Sequence, residues 1–223
     1  MRTHLTWSLG VAKLKKNPIR TAGFTLPAFR SASGFRTCPA AGQCAGWCYA
    51  RQGRFTLGYA AQAYERNLAS VRAWLSDATL ATRLADDLRY LHENRCVDLF
   101  RIHVAGDFFC QAYLDAWCEA LRMVPVRAYA YTKMHARLDW SKVPSNLAIT
   151  QSFGGKDDAL LDRSKPHSRV FPTHEERRAA GYADGTRDDT LAATGVVKQG
   201  LVHHGVRRLT EKQIIKLRVL NAA

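Results

Sequence analysis

Val97-Asp98-Leu99-Phe100-Arg101-Ile102-His103-Val104, closed by Ala105-Gly106-Asp107, is the stretch on which the reading of the fold turns. A run rich in β-branched and aromatic residues that ends at a glycine predicts a strand. Alternation places Phe100, Ile102 and Val104 on one face and Arg101 and His103 on the other. On either side the pattern becomes helical. Upstream, Tyr64, Leu68, Val71 and Leu75 recur at spacings of three and four within 59–76. Asp77 then caps a second helix whose buried stripe is Leu80, Leu84, Leu88 and Leu91. Downstream, Tyr113, Trp117 and Leu121 share one face of a helix over about 110–123.

Further units of the same kind surround this one. Strands are expected at Ile19–Phe29, Val126–Tyr131, Asn146–Ser152, Arg169–Pro172 and Val196–His203, with a short helical stretch before Pro144 and a last helix over Leu209–Leu220. Strands alternating with helices predict an α/β fold: a parallel sheet with flanking helices, or a barrel, with its site at the C-terminal ends of the strands. The second face adds chemistry. Ala128 and Ala130 oppose Arg127, Tyr129, Tyr131 and Lys133, and a face carrying Arg, His, Tyr and Lys is costly to bury dry. A solvated pocket or barrel interior is expected, against the plain alternative of a solvent-facing sheet.

A second signal lies earlier, in Cys38-Pro-Ala-Ala-Gly-Gln-Cys44-Ala-Gly-Trp-Cys48-Tyr49-Ala50. Pro39, Gly42 and Gly46 mark a loop. Thiolates are soft ligands for zinc, copper(I) or iron–sulfur centres, so three in one loop point to a metal rather than to inert buried thiols. Cys96, Cys110 and Cys118 read instead as core or half-buried thiols. The N-terminus has no compact apolar run of a secretory signal, which places the cysteines in a reducing cytoplasm where disulfides are rare. No stretch of about 18 apolar residues exists to span a membrane.

The 223 residues are expected to form one domain, with a basic arm at 1–23, an α/β core at 24–205 and a basic helix at 206–223. The net charge of +14 is uneven. Nine basic residues precede the first acid, Glu65, and six basic residues against Glu211 alone follow from Lys198. The intervening chain is neutral. An uncompensated basic field around the cysteine loop argues for a polyanion, most simply nucleic acid. Arg36, Arg51, Arg54, Arg207 and Arg208 are candidate contacts to its backbone, with Arg101 and Arg127 turned to phosphate or sugar of the substrate.

With these motifs placed, a resemblance can be stated. Phe24-Thr25-Leu26-Pro27-Ala28, the cysteine loop, Arg101 through Phe109, Tyr113-Leu114-Asp115-Ala116-Trp117 and Ala130-Tyr131-Thr132-Lys133 resemble the phage "gene product eighty-eight" family over about residues 20–155. More distantly, the layout is similar to radical S-adenosylmethionine (SAM) enzymes, which set a three-cysteine loop early in a partial (β/α) barrel. That likeness implies a [4Fe–4S] cluster held by Cys38, Cys44 and Cys48, with one iron left for SAM. It implies Gly106, Asp107 and Ser152 beside the cofactor, and Asp107, His103, Tyr131 and Lys133 as catalytic. The cysteine spacing is five residues then three, where those enzymes have three then two. The function implied is base modification in nucleic acid, DNA before RNA, inside a bacterial host. The rival expectation is a zinc-stabilised nucleic-acid-binding protein without catalysis, in which His103 or Cys110 closes a tetrahedral site. Asp107 also suits a cap of the helix that follows it.

Overall fold

The computed structural model describes residues 3–203 and 207–222. Eight strands form one sheet: β1 (Trp7–Ser8), β2 (Thr21–Phe24), β3 (Leu99–Ile102), β4 (Arg127–Thr132), β5 (Leu147–Ser152), β6 (His167–Phe171), β7 (Ala183–Asp184) and β8 (Lys198–Val202). Their order is β1-β2-β3-β4-β5-β6-β8-β7. β1 runs antiparallel to β2, and the other pairings are parallel. The helices are α1 (Gly58–Ser76), α2 (Leu80–Arg95), α3 (Gln111–Met123), α4 (His174–Ala179), α5 (Thr190–Ala193) and α6 (Glu211–Ala222).

From β2 to β6 the strands lie side by side in chain order. Right-handed crossovers between such neighbours deliver their helices to one face. There Ala22, Phe24, Phe100, Ile102, Ala128 and Ala130 pack against the apolar stripes of α1, α2 and α3 in the main core. The other face is polar and is covered only in part, where Ala192 of α5 meets Leu99 and Tyr129.

The N-terminal arm, expected to pack partly on the body, does so from residue 3 on: β1 is an edge strand, and Asp87 of α2 accepts hydrogen bonds from Leu5 N (2.9 Å) and Trp7 Nε1 (2.8 Å). Asn67 adds bonds to both backbone groups of Thr6. Several expectations need correction. The strand expected over Ile19–Phe29 is confined to β2, and the chain beyond it turns at Phe29, whose φ of 66° is left-handed. The stretch before Pro144 forms turns, held by Arg137 on Asp157 and by Gln111 on the Asp139 backbone. Elements α4, β7 and α5, between 174 and 193, were not signalled by any long apolar period.

Candidate functional site

The ends of the parallel strands and the loops beyond them enclose a cavity of about 180 Å³. Cys38, Cys44 and Cys48 line it, together with Phe29, Tyr49, Arg101, His103, Gly106, Asp107, Tyr131, Lys133 and Ser152. All three metal candidates and every catalytic or cofactor candidate of the sequence reading therefore meet at one place. It is the C-terminal edge of the sheet, where α/β folds place their ligands.

Two glycines let the cysteine loop sit there. Gly154, beyond β5, has φ +97°, and its carbonyl accepts Gly42 N at 3.1 Å and Cys44 N at 3.0 Å. A Cβ on Gly154 would stand 2.9 Å from Cys44 Cβ. On the far side, Gly106 has φ +90° and a Cβ there would lie 2.7 Å from Leu26 Cβ. Asp158 completes the first hinge by accepting Gly154 N (2.8 Å) and Gly155 N (2.9 Å).

Asp107 pins loops rather than capping α3. Its carboxylate accepts Phe108 N (2.8 Å), Thr132 Oγ1 (2.7 Å) and Lys133 N (2.9 Å), joining the exits of β3 and β4. Burial raises its pKa against those three bonds. With both oxygens engaged, Asp107 has little capacity left for a ligand.

Lys133 stands among the sulfurs. Its Nζ donates to Ser152 Oγ at 2.9 Å, and although burial opposes its charge, Cys44, Asp107, Cys38 and Cys48 together raise its pKa. The thiols feel the converse. Burial and the nearby Asp107 push Cys38 up to about 12, and burial also raises Cys48, while Lys133 opposes both shifts. The Cys38 and Cys48 thiols are thus neutral at pH 7, with a cation in place to favour their ionised form.

The donor chemistry of three thiols suits a soft metal. Among the described residues no group of three or more His, Cys, Asp or Glu side chains is gathered to hold a metal ion. Tetrahedral zinc needs four ligands on one ion and finds no ready set. A polynuclear cluster takes one thiolate on each of several bonded irons, so its cysteines would have to close around it as one set.

His103 departs from the strand alternation. β3 ends at Ile102, and a φ of 64° at His103 turns the ring into the helix layer. There Nε2 meets Tyr113 Oη at 2.9 Å and the ring stands edge-on to Phe108. Burial, reinforced by Arg101, lowers its pKa to about 3, so it is a neutral imidazole in the cavity wall.

Arg101 does keep to the polar face, where it finds a partner that the sequence reading missed. Asp189, fully buried before α5, accepts Arg101 Nη1 (2.7 Å), Lys13 Nζ (2.7 Å), Tyr129 Oη (2.8 Å) and Tyr131 Oη (3.3 Å). Arg101 also donates to Tyr49 Oη at 3.2 Å, and Tyr49 in turn donates to the Val104 carbonyl. Burial and the Asp189 charge hold the Tyr131 phenol well above its ordinary pKa, so it stays protonated. The signal for Asp189 was indirect: an Arg flanked by two Tyr on one sheet face requires an anion opposite.

The arginine candidates divide. Arg36 and Arg51 both lie over the Phe29 ring, at 5.8 and 5.3 Å, and Arg54 is exposed just beyond. Arg207 and Arg208 are exposed on the same side, with Arg207 N donating to Gln52 at 2.8 Å. Arg101 is instead consumed by Asp189, and Arg127 begins β4 at the opposite edge of the sheet. Of the other cysteines, Cys118 is buried and Cys110 half-buried as expected, but Cys96 is exposed because it ends α2 in the left-handed conformation. His203 lines the cavity, while His204 lies outside the described residues.

No described helix is long and apolar enough to cross a membrane. Comparison with known proteins adds a family. The family model described as "Gene product 88" matches residues 6–217. The chain is also 29% identical over 163 residues to "Gene 88 protein" of Mycobacterium phage D29, covering 64% of this chain and 68% of that protein. No solved structure matches the chain.

Proposed function

This chain belongs to the Gene product 88 family, and we propose that it is an iron–sulfur protein of radical-SAM-like, partial-barrel architecture that acts on nucleic acid. One observation carries the reading: three cysteines and one lysine line a single cavity at the C-terminal edge of a parallel sheet. The chain order of β2 to β6, with the long helices on one side, supports the partial-barrel comparison.

Cys38, Cys44 and Cys48 would hold a [4Fe–4S] cluster, which when bound supplies one-electron chemistry to a cofactor such as S-adenosylmethionine. The chain's own residues prepare the place. Lys133 favours the ionised sulfurs, and Gly154 sets Cys44 at the wall. Asp107 locks the two strand exits that form the cavity floor, and Asp189 fixes Arg101 and the two tyrosines beneath it. The cavity of about 180 Å³ exceeds the roughly 150 Å³ that accommodates benzene but is below the ~300 Å³ at which pockets for larger ligands begin. A compact group fits inside, and any nucleoside part belongs at the mouth, where the Arg36, Arg51 and Arg54 side chains gather.

Anaerobic purification followed by a visible spectrum and by iron, sulfide and zinc analysis tests the metal. Iron with sulfide is expected, and lost in Cys38→Ser. Stoichiometric zinc without iron would refute the proposal and restore the zinc-stabilised binder. Nucleic-acid affinity is expected to fall linearly with salt on a log–log plot. Affinity independent of ionic strength removes the polyanion from the proposal.

A further inference from the structure

A second cavity, of about 300 Å³, adjoins the first. Ala28, Ala50 and Ala105 line both, so small side chains separate the two. Phe55 and Tyr64 contribute aromatic rings to it, tilted at 39° with centroids 6.1 Å apart. Arg30 and Arg51 contribute its cations and Glu65 its single carboxylate, which is already engaged by Ala32 N at 2.8 Å. Arg51 donates to the Ala45 carbonyl at 2.6 Å, which fixes its guanidinium between the Phe29 ring and this cavity.

We infer that this cavity is a subsite for one nucleotide of a single strand, its base against Phe55 and Tyr64 and its phosphate on Arg30 and Arg51. The inference rests on the proposed action on nucleic acid and names the form of the substrate. Aromatic faces beside arginines are the usual equipment for single strands, because every base presents a π-face once it is unstacked. In a duplex the bases are stacked on one another and no ring is available to enter. An acidic peptide would satisfy the arginines but leave the aromatic wall without a planar partner. Separation from the thiol cavity only by alanines means that a strand held here presents its next nucleotide at the cysteine loop. An enzyme that must reach a base takes it out of the stack.

The test uses the full chain and a fluorescein-labelled oligothymidylate, read by anisotropy at low salt. Single-stranded DNA is expected to bind more tightly than a duplex of the same length, and more tightly than polyglutamate. Phe55→Leu, which keeps apolar volume but removes the π-face, is expected to weaken single-strand binding about tenfold and leave duplex binding unchanged. Arg30→Gln is expected to reduce the salt slope by about one. Photo-crosslinking of the unmutated chain with a bromouracil oligonucleotide, mapped by mass spectrometry, is expected to mark the peptide carrying Phe55 or Tyr64. Crosslinks confined to other peptides, or an unchanged affinity in Phe55→Leu, overturn the subsite while leaving nucleic-acid binding intact. Equal affinity for polyglutamate reduces the interaction to charge and also overturns it. Failure of the unmutated chain to bind any nucleic acid removes the parent proposal as well.

Discussion

Asp189→Asn isolates the buried charge cluster beneath the cavity. Asn is nearly isosteric and still accepts a hydrogen bond from Tyr129, so the change removes charge more than shape. Lys13 and Arg101, which contact the carboxylate at 2.7 Å each, are left facing one another without an anion. Breaking a buried ion pair by removing one partner costs about 3–5 kcal/mol. Titration gives an independent figure. Burial alone would raise the Asp189 pKa, but Arg101 and Lys13 hold it at about 2, against an ordinary value of 3.8. At about 1.4 kcal/mol per unit, that depression is roughly 2–3 kcal/mol. The two routes agree near ~3 kcal/mol, which for a chain of this size lowers Tm by about 6–12 °C. Because the folded pKa is depressed, this stabilisation is present above about pH 4 and lost as pH falls through about 2. Urea unfolding followed by far-UV circular dichroism measures it, and the acid limb of the stability profile should flatten in the variant. Lys13→Met in the Asp189→Asn background removes one stranded cation and should recover part of the loss. A loss below about 1 kcal/mol, or no recovery in the double variant, would show that the cluster is solvated and refute this reasoning.

Four further outcomes are expected. Gly154→Ala should move Cys44 away from the cavity, through a left-handed backbone strain of about 1–2 kcal/mol and a 2.9 Å approach to Cys44 Cβ, and reduce metal loading more than stability. Metal content per folded protein reads this. Asp87→Ala deprives Leu5 N and Trp7 Nε1 of their acceptor and should cost at least about 2 kcal/mol, measured by urea midpoint. In metal-free protein Cys38, pushed up to about 12, should alkylate with iodoacetamide far more slowly than exposed Cys96, and equal rates by peptide mass spectrometry would contradict the assigned burial. Arg127→Gln, at the edge of the sheet away from the cavity, should leave the salt slope of nucleic-acid binding unchanged where Arg51→Gln lowers it by about one.

Much of the scaffold was legible because its signals are local. Leu84, Leu88 and Leu91 repeat at helical spacing, and all three are buried against the sheet in α2. The alternation in Arg127–Thr132 placed Ala128 and Ala130 in the core and Tyr129 and Tyr131 opposite, as found. What stayed hidden depends on distant partners. His103 leaves the alternation at a single left-handed residue, which no period reports. Arg101 looked free for phosphate because its partner, Asp189, is 88 residues away in a segment of short elements. The N-terminal residues read as an arm packing partly on the body, but nothing local showed that their backbone is claimed by Asp87 and Asn67, two polar residues on the buried faces of α2 and α1.

The same distant partners define the electrostatics of the cavity. Arg101 and Lys133 line the cavity; Asp189 answers Arg101 together with Lys13, and Lys133 lies beside Asp107 and the three cysteines. A buried ammonium is costly unless an anion lies near it. Besides Asp107, the groups about Lys133 are the thiols of Cys38, Cys44 and Cys48; burial raises the pKa of Cys38 and Cys48, and a bound metal would ionise its thiol ligands. Thiolate ionisation at that place would therefore meet a cation already built into the fold. The arrangement is coherent when the cavity is expected to receive negative charge at its sulfurs.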